Sequence, residues 1–376
     1  MIKASAFVRA ICVASVAFAA LSTAIQASAG ALGNLAASMQ PGTFAELTAM
    51  NGWDAGGILV PTDLGCSAND YITQYAEKAA WDPVGQRLLF VGHTHGNCYG
   101  GRFVLFNEAS NTWSKGPWPQ GVCQSGSPDS PCFSHAYGHN TTDPATGDLY
   151  FRQSYTMKFF RYRNGAWASI PAPPTQSSQC CGALEYFPEM NRLLFLDGDW
   201  GLWAFNPASS TWTALANTTG SNAVPGLPNL AMPSTVVFAQ YNPVERSLLF
   251  GGGSNLYKIN SSGTITTLKS PPVGLGVTHA VLSVDPASGK YIVLSGSAMY
   301  QYDATADSWG QLSTSVPAVF RTLEGVGDGL VATPIKQHGV IAYIKYDFGN
   351  SKVYLYKHAP FVPPVKPKPP ANVTAQ

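Results

Sequence analysis

The side chains best suited to chemistry crowd one short stretch of the chain. His135, Tyr137 and His139 alternate along a predicted strand, so all three point to the same side. Arg152 lies on the next predicted strand, at a position where three of the equivalent strands carry valine or leucine. A bulky cation at a packing position needs a counter-charge or a purpose. Phenol and imidazole groups beside an arginine can move a proton next to a bound carboxylate, so Tyr137, His139 and Arg152 are candidate catalytic residues.

Neighbouring predicted strands end in further polar residues. His93 and His95 close one of them and complete the candidate catalytic set. Polar groups beside aromatic rings suit the hydroxyls and the apolar faces of sugars. The predicted substrate-binding residues are His135, Tyr155, Asp197, Asp199, Trp200, His279 and Tyr99. A purely structural interpretation stays open, in which these side chains hydrogen-bond across repeats and Arg152 pairs with Asp197 or Glu185.

One phrase recurs six times: a proline turn, an apolar run and an aromatic-rich stretch. The prolines are spaced 61, 44, 55, 43 and 48 residues apart, and they are Pro83, Pro144, Pro188, Pro243, Pro286 and Pro334. Each repeat predicts four short strands, as in the blades of a β-propeller. We therefore predict an all-β fold, a six-bladed β-propeller of four-stranded blades over residues 42–359.

The sixth repeat lacks a fourth strand, and the N-terminus offers a replacement. Residues 42–47 match the fourth strand of another blade at 263–268. We predict that this N-terminal strand supplies the last strand of the final blade, which removes an exposed sheet edge.

Strand order also sorts the loops between two faces of the ring. The proline turns lie on one face. The loops after the second and fourth strands lie on the other, together with the six mature cysteines and the candidate histidines. Long loops around a central pocket commonly build a propeller's site, so we place the site on this cysteine-rich face.

The first residues form a targeting segment. Lys3 and Arg9 flank the start of an apolar run from 10 to 21, and Ala27-Ser28-Ala29 is a small-residue cleavage signal. Residues 1–29 are predicted to be a signal peptide, 30–41 a lead into the propeller, and the mature protein secreted. The apolar run is too short for a membrane span.

Composition narrows the choice of partner. Loss of Lys3 and Arg9 changes the net charge from +1 to −1, with 20 basic and 21 acidic residues. This balance favours neither nucleic acid nor an anionic membrane as a partner. We expect a monomer that engages an extracellular polysaccharide.

Six cysteines remain after removal of the signal, an even number that predicts disulfides in an oxidising compartment. They are Cys66, Cys98, Cys123, Cys132, Cys180 and Cys181. The sequence leaves their pairing open. Residues 360–376 are a proline-rich linker, and its end resembles the opening of a fibronectin-type-III-like module.

The hairpins with a late tryptophan, at Trp113, Trp212 and Trp309, resemble those of kelch-type, galactose-oxidase-like propellers. The resemblance covers nearly the whole mature chain and implies the fold. It carries little about function, because such propellers host unrelated activities. The chain departs from the strict kelch pattern, since a Gly-Gly doublet follows the second strand only at 251–253.

The placement of the candidate residues is similar to that in propeller polysaccharide lyases of the ulvan-lyase kind. That resemblance implies that Arg152 would neutralise a uronate carboxylate and that Tyr137 or His139 would remove the adjacent proton. The chain departs from the pattern at Gln74 and Tyr75, where such an enzyme would place another histidine.

No cofactor is certain from the sequence, although a calcium ion or a transition metal is compatible with it. His93 and His95 are spaced to chelate a metal from a strand end. A copper radical oxidase is disfavoured because the chain has no Tyr-His dipeptide. Three functions follow in order: glycan binding through the cysteine-rich face, a uronate-directed lyase, and a protein-interaction or adhesion module.

Overall fold

The protein is built from six four-stranded antiparallel sheets, the blades of a β-propeller. The structure, a computed structural model, describes residues 30–53, 55–94, 100–119, 135–154, 158–174, 181–218, 224–233, 236–277, 279–320, 329–346 and 351–362. The predicted six-bladed fold is confirmed. Within these ranges, no helix is long and apolar enough to cross a lipid bilayer.

The first three blades follow one another along the chain, each with its first strand innermost. The first blade comprises Ala80–Asp82, Arg87–His93, Gly101–Asn107 and Thr112–Lys115. The second comprises Asn140–Thr142, Leu149–Gln153, Lys158–Arg163 and Ala166–Ile170. The third comprises Ala183–Phe187, Arg192–Asp197, Gly201–Asn206 and Thr211–Ala216.

The last three blades continue this order, except that the sixth takes one strand from the N-terminus. The fourth blade comprises Val237–Asn242, Ser247–Gly252, Asn255–Ile259 and Ile265–Thr267. The fifth comprises Val281–Val284, Tyr291–Ser295, Ala298–Asp303 and Ser308–Leu312. The sixth comprises Leu330–Ile335, Val340–Lys345, Lys352–Lys357 and Thr43–Glu46. Helices span Ala31–Ser38 and Ala55–Ile58, and 3₁₀ turns span Thr62–Leu64, Pro188–Met190 and Ala318–Phe320.

The apolar runs of the sequence are explained by burial on both faces of each sheet. Six hydrophobic clusters each lie between two neighbouring blades. On the second strand of the first blade, Leu88 and Phe90 enter the cluster shared with the sixth blade. Leu89 and Val91 enter the cluster shared with the second blade. Successive residues of a strand point to opposite faces, so a strand between two blades must be apolar throughout.

The inner strands lie parallel around the central axis and form a closed ring, in which each contacts the inner strand on either side. Isolated parallel bridges join Ala76 to Tyr137 and Gly138 to Ala183 along this ring. At the outer edge of the sixth blade, the N-terminal strand pairs in antiparallel register, with Phe44 opposite Tyr356 and Glu46 opposite Tyr354.

In several blades the residue before the proline caps the turn, which explains why a short polar residue recurs there. Asp82 Oδ1 accepts hydrogen bonds from the backbone N–H groups of Val84 and Gly85, at 2.9 and 2.8 Å. Asn242 caps the equivalent turn of the fourth blade in the same way. These short polar side chains satisfy turn donors that the sheet cannot reach.

The late tryptophans are hydrogen-bond donors between blades. The indole N–H of Trp212 donates to Pro171 O at 2.7 Å, and that of Trp167 donates to Pro117 O at 2.7 Å. Trp309 donates to Lys269 O at 3.2 Å. In each case the acceptor follows the fourth strand of the preceding blade. Trp113 repeats the contact with Met50 Sδ at 3.1 Å, just after the strand that the N-terminus lends to the sixth blade.

This geometry makes Trp212→Phe a test of the interblade hydrogen bond. The phenylalanine keeps an aromatic ring but cannot donate, so the free energy of unfolding should fall by about 1–2 kcal/mol. Denaturant unfolding measures the change. Ile265→Leu serves as the control, because Ile265 occupies the equivalent position of the fourth blade without a donor; an equal loss in both variants would contradict the assignment.

Candidate functional site

The structure describes part of the predicted site. His93, His135, Tyr137, His139, Arg152, Asp197, Asp199, Trp200 and His279 are described. The predicted site residues His95, Tyr99 and Tyr155 lie outside the described residues, as do the cysteines Cys98, Cys123, Cys132 and Cys180. Cys66 and Cys181 are each disulfide-bonded. The pairing of the six cysteines stays a prediction.

Tyr137, His139 and Arg152 are brought together between the second and third blades. The rings of Tyr137 and His139 lie 5.5 Å apart, edge to face. Arg152 Nη1 lies 3.3 Å from His139 Nε2, and its guanidinium lies 5.0 Å from the ring centre of Phe195 on the third blade. Because an arginine only donates, His139 Nε2 must accept and its proton must sit on Nδ1.

Burial controls the charge of this cluster. His139 is 0% and Arg152 1% exposed. Burial lowers the pKa of His139 well below its usual value, and the charges of Arg152 and Lys78 lower it further, so the imidazole is neutral at neutral pH. Burial also lowers the pKa of Arg152 to about 10, with the Asp197 charge acting in the opposite direction. In this geometry the guanidinium is held by the protein itself.

Two neighbouring tyrosines have a backbone conformation that side chains rarely adopt. Tyr137 has φ +35° and Tyr75 has φ +52°, and Tyr137 N–H donates to Tyr75 O at 2.9 Å. The Tyr75 ring packs on His135 at 4.4 Å. Left-handed conformations of bulky residues store strain, and they cluster at functional sites.

The remaining predicted residues lie around this cluster or away from it. His93 is buried at the end of its strand, with its ring edge to face against Trp118 at 5.0 Å. Asp197 is buried, and Asp199 and Trp200 in the turn that follows are half-buried. His279 is exposed at the start of the fifth blade, beside Gly274.

A second polar centre, on the axis of the ring, was missed by the sequence analysis. Lys78 Nζ from the first blade pairs with Glu185 Oε2 of the third blade at 2.5 Å. It also donates to Leu184 O and, at 3.2 Å, to Ala239 O of the fourth blade. Lys78 therefore crosses the axis and joins three blades. Glu185, which the sequence offered as a partner for Arg152, is engaged by Lys78 instead.

Burial shifts the pKa values of the carboxyl groups in this centre. Burial raises the pKa of Glu77 to about 8, against the opposing charge of Lys78. Burial also raises the pKa of Glu185, with Lys78 again opposing. The signal was present in the sequence: Lys78, like Arg152, carries a charge at a register position where three other repeats have the apolar residues alanine, phenylalanine and valine.

A pocket of about 510 Å³ opens above the Lys78–Glu185 pair, at the proline-turn end of the axis. We call it the axial pocket. All six blades contribute to its wall, which includes Lys78, Trp81, Pro83, Pro144, Glu185, Tyr186, Gln240, Tyr241, Pro243, Pro286, Pro334, Lys336, Phe361 and Val362. Its mouth lies on the face opposite the cysteine-rich face.

Most polar groups on the wall of the axial pocket are committed to the fold; among the described residues the exceptions are the amide of Gln240, which is 4% exposed, and the ammonium of the exposed Lys336. Trp81 Nε1 donates to Gln337 Oε1 at 2.7 Å, and Tyr241 Oη donates to Glu189 Oε1 at 2.9 Å. Gln240 makes one long contact, from Nε2 to Tyr241 O at 3.4 Å. Its Oε1 accepts no hydrogen bond from the described residues. Gln240 therefore offers a ligand a polar group between aromatic and proline surfaces.

The described residues contain no group of three or more His, Cys, Asp or Glu side chains that could hold a metal. The predicted chelate of His93 and His95 remains a prediction, because His95 lies outside the described ranges.

Lys78→Met tests the axial ion pair. Removal of the ammonium leaves the Glu185 carboxylate buried and uncompensated, so the free energy of unfolding should fall by about 3–5 kcal/mol. The double variant Lys78→Met/Glu185→Leu should recover most of that loss. Lys352→Met, which removes a half-exposed pair with Glu46, should cost far less in the same denaturation assay, because solvent screens that pair. An equal loss from both single variants would contradict the axial role.

Glu77 predicts a pH dependence of stability. Its folded pKa of about 8 exceeds its ordinary value of 4.5, so the folded state binds more protons between these values. Stability is therefore full below about pH 4.5 and falls as the pH rises towards 8, by up to about 1.4 kcal/mol per pH unit. Glu77→Gln should flatten this fall in urea titrations from about pH 5 to pH 8. The same slope in both proteins would show that Glu77 does not titrate as stated.

Comparison with known proteins finds no related sequence and only distant structural likenesses. No protein-family model matches the sequence, and no curated protein matches it. Among solved structures, the chain is similar to a structural genomics protein of unknown function from Bacteroides thetaiotaomicron, with 12% identity, a TM-score of 0.47, and coverage of 77% of this chain and 72% of that chain. It is also similar to a fungal alcohol oxidase of the AA5 family in complex with copper, with 11% identity, a TM-score of 0.42, and coverage of 76% of this chain and 74% of that chain. A third similar structure is an auxiliary nutrient binding protein from Bacteroides ovatus, with 9% identity, a TM-score of 0.48, and coverage of 76% of this chain and 69% of that chain. Because all three TM-scores are below 0.5, these likenesses carry no argument about the fold or the function of this chain.

Proposed function

We propose that this protein is a secreted glycan-binding propeller and that the end of an extracellular polysaccharide enters its axial pocket. The observation that carries the proposal is the pocket itself. Its volume of about 510 Å³ lies within the range of about 300–1,000 Å³ typical of ligand sites. Such a pocket takes a few sugar rings more readily than a folded protein surface.

The chemistry of the wall favours a sugar of low charge. Trp81, Tyr241 and the prolines offer apolar surfaces for the C–H faces of a pyranose ring. The Gln240 amide offers both donor and acceptor groups to hydroxyls. Lys78 and Glu185 neutralise each other at the floor, so a polyanion would meet the single exposed Lys336 on the wall rather than a cluster of cations.

The cysteine-rich face, which the sequence favoured, remains the competing location on the same molecule. Trp200 is one of its described aromatic residues, half-buried in the turn after Asp197. Many of its loop residues lie outside the described ranges. Variants on each face therefore distinguish the two candidate locations by experiment.

A lyase is the second candidate, favoured by one observation. Tyr137 combines a left-handed backbone with direct ring contact to His139, which in turn contacts Arg152. Against it stands the burial of Arg152, whose guanidinium would have to reach a uronate carboxylate from a position 1% exposed. We therefore rank binding ahead of β-elimination.

Gln240→Leu tests the axial pocket. The mature protein is screened on an array of neutral and uronate-containing glycans, and the best oligosaccharide is titrated by calorimetry. Loss of one or two hydrogen bonds to the ligand should raise the dissociation constant about tenfold. Gln311→Leu, on the exposed outer strand of the fifth blade, is the matched control and should bind like the wild type.

Three outcomes separate the alternatives. Weakened binding in Trp200→Ala with unchanged binding in Gln240→Leu would move the site to the cysteine-rich face. Formation of unsaturated, ultraviolet-absorbing product from a uronate polymer, lost in Arg152→Ala, would favour the lyase. Absence of binding to every glycan would overturn the proposal and favour a protein partner.

A further inference from the structure

The N-terminal helix packs against the propeller, and its first residue lies beside the predicted cleavage site. The helix spans Ala31–Ser38, directly after the Ala29–Gly30 bond at which the signal peptide is predicted to be removed. Leu32 and Ala36 are each 1% exposed and pack in the cluster between the sixth and first blades. Lys357 Nζ donates to Ala36 O at 3.0 Å near the other end of the helix.

Gly30 sits in close contact with a buried acidic residue of the first blade. A Cβ at Gly30 would lie 2.9 Å from Glu108 Cγ and 2.2 Å from Glu108 O, so a larger residue would not fit without movement. Asn111 Oδ1 accepts the hydrogen bond from Ala31 N–H at 2.7 Å. The first helical donor is therefore satisfied, and Gly30 provides no side-chain cap of its own.

Glu108 is incompletely compensated in this arrangement. The residue is 3% exposed, and its Oε1 lies 2.7 Å from Nε2 of the half-buried His338. Its second oxygen, Oε2, is buried and accepts no hydrogen bond within the part of the chain that the structure describes. Burial of a carboxylate oxygen without a donor is costly, so the site calls for a cationic or N–H donor close to Gly30.

We propose that this donor is the α-ammonium group created when the signal peptide is cleaved. Hydrolysis adds water across the Ala29–Gly30 amide: the carbonyl carbon of Ala29 gains the oxygen and leaves as a carboxylate, and the nitrogen of Gly30 becomes an ammonium. This group occupies the helix N-terminus, pairs with Glu108 Oε2 and locks the helix against the blades. The uncleaved precursor has a neutral amide there and lacks the ion pair.

The surroundings are consistent with one added positive charge. The charged or titratable groups identified at this end of the helix are Glu108 and His338, while Lys357 is engaged at the other end. The helix shares its hydrophobic core with Ala45 of the strand Thr43–Glu46, which pairs into the sixth blade. Fixing the helix therefore fixes the segment that closes the ring.

The experiment begins with the secreted protein, whose N-terminal residue is determined by mass spectrometry and should be Gly30. A variant with Gly-Ser inserted between Ala29 and Gly30 is secreted in parallel, which moves the ammonium away from Glu108. Loss of a buried pair should lower the melting temperature by about 5 °C or more. In Glu108→Gln the same insertion should have little effect, because the carboxylate is already gone.

The second readout does not depend on stability. Reductive methylation of the Gly30 amine should be about tenfold slower in the wild type than in Glu108→Gln, since a paired ammonium gives up its proton less readily. Glu46→Gln, which removes a half-exposed carboxylate paired with Lys352, is the matched control and should leave both the labelling rate and the insertion effect unchanged. A different mature N-terminus, an insertion effect of equal size in the wild type and Glu108→Gln, or an unchanged labelling rate would each overturn the proposal.

Discussion

The closed ring depends on how the fold fills its own axis, and the Lys78–Glu185 pair is the central contact there. Six inner strands converge on the axis. Apolar side chains fill the space between neighbouring sheets, but those of opposite blades do not meet across the axis. Lys78 spans this space and binds a carboxylate and two backbone carbonyls on the third and fourth blades. A long flexible cation suits the role, because one side chain can satisfy acceptors from several blades at once. The cost of its burial is offset only when all of these partners are present.

Arg152 is also a buried cation that joins blades, and it lies further from the axis than Lys78. Its guanidinium lies between His139 of its own blade and Phe195 of the next, with Asp197 supplying the opposing charge. Both cations replace apolar residues at repeated positions, and both join blades that the hydrophobic clusters join elsewhere. A charge at a packing position of a repeat protein thus has two explanations, chemistry and assembly. Burial decides between them, since a group sealed from solvent must be satisfied by the protein before it can serve a ligand.

The two faces of the ring are built by different devices. The turns on the proline-turn face are short and regular, because side chains such as Asp82 and Asn242 cap them close to the sheet. Regular turns leave the end of the axis open, and the axial pocket occupies that opening. The sequence predicts the long connections and the cysteines on the other face. The ring is held from outside by tryptophan donors and by the N-terminal strand, so neither face has to provide its closure.

The sequence by itself determined the number of blades, the order of strands and the origin of the last strand. These features rest on local patterns, namely turn residues, alternation and the repeat period, which are written in consecutive residues. It also identified Tyr137, His139 and Arg152 as neighbours, because a shared strand and an adjacent strand define their register. The tertiary structure alone decided that Lys78 meets Glu185, 107 positions away, and that the pocket opens at the proline turns. Those outcomes depend on which residues of six separate blades converge on one axis and on how deeply each is buried, and no local pattern of a single repeat encodes that convergence.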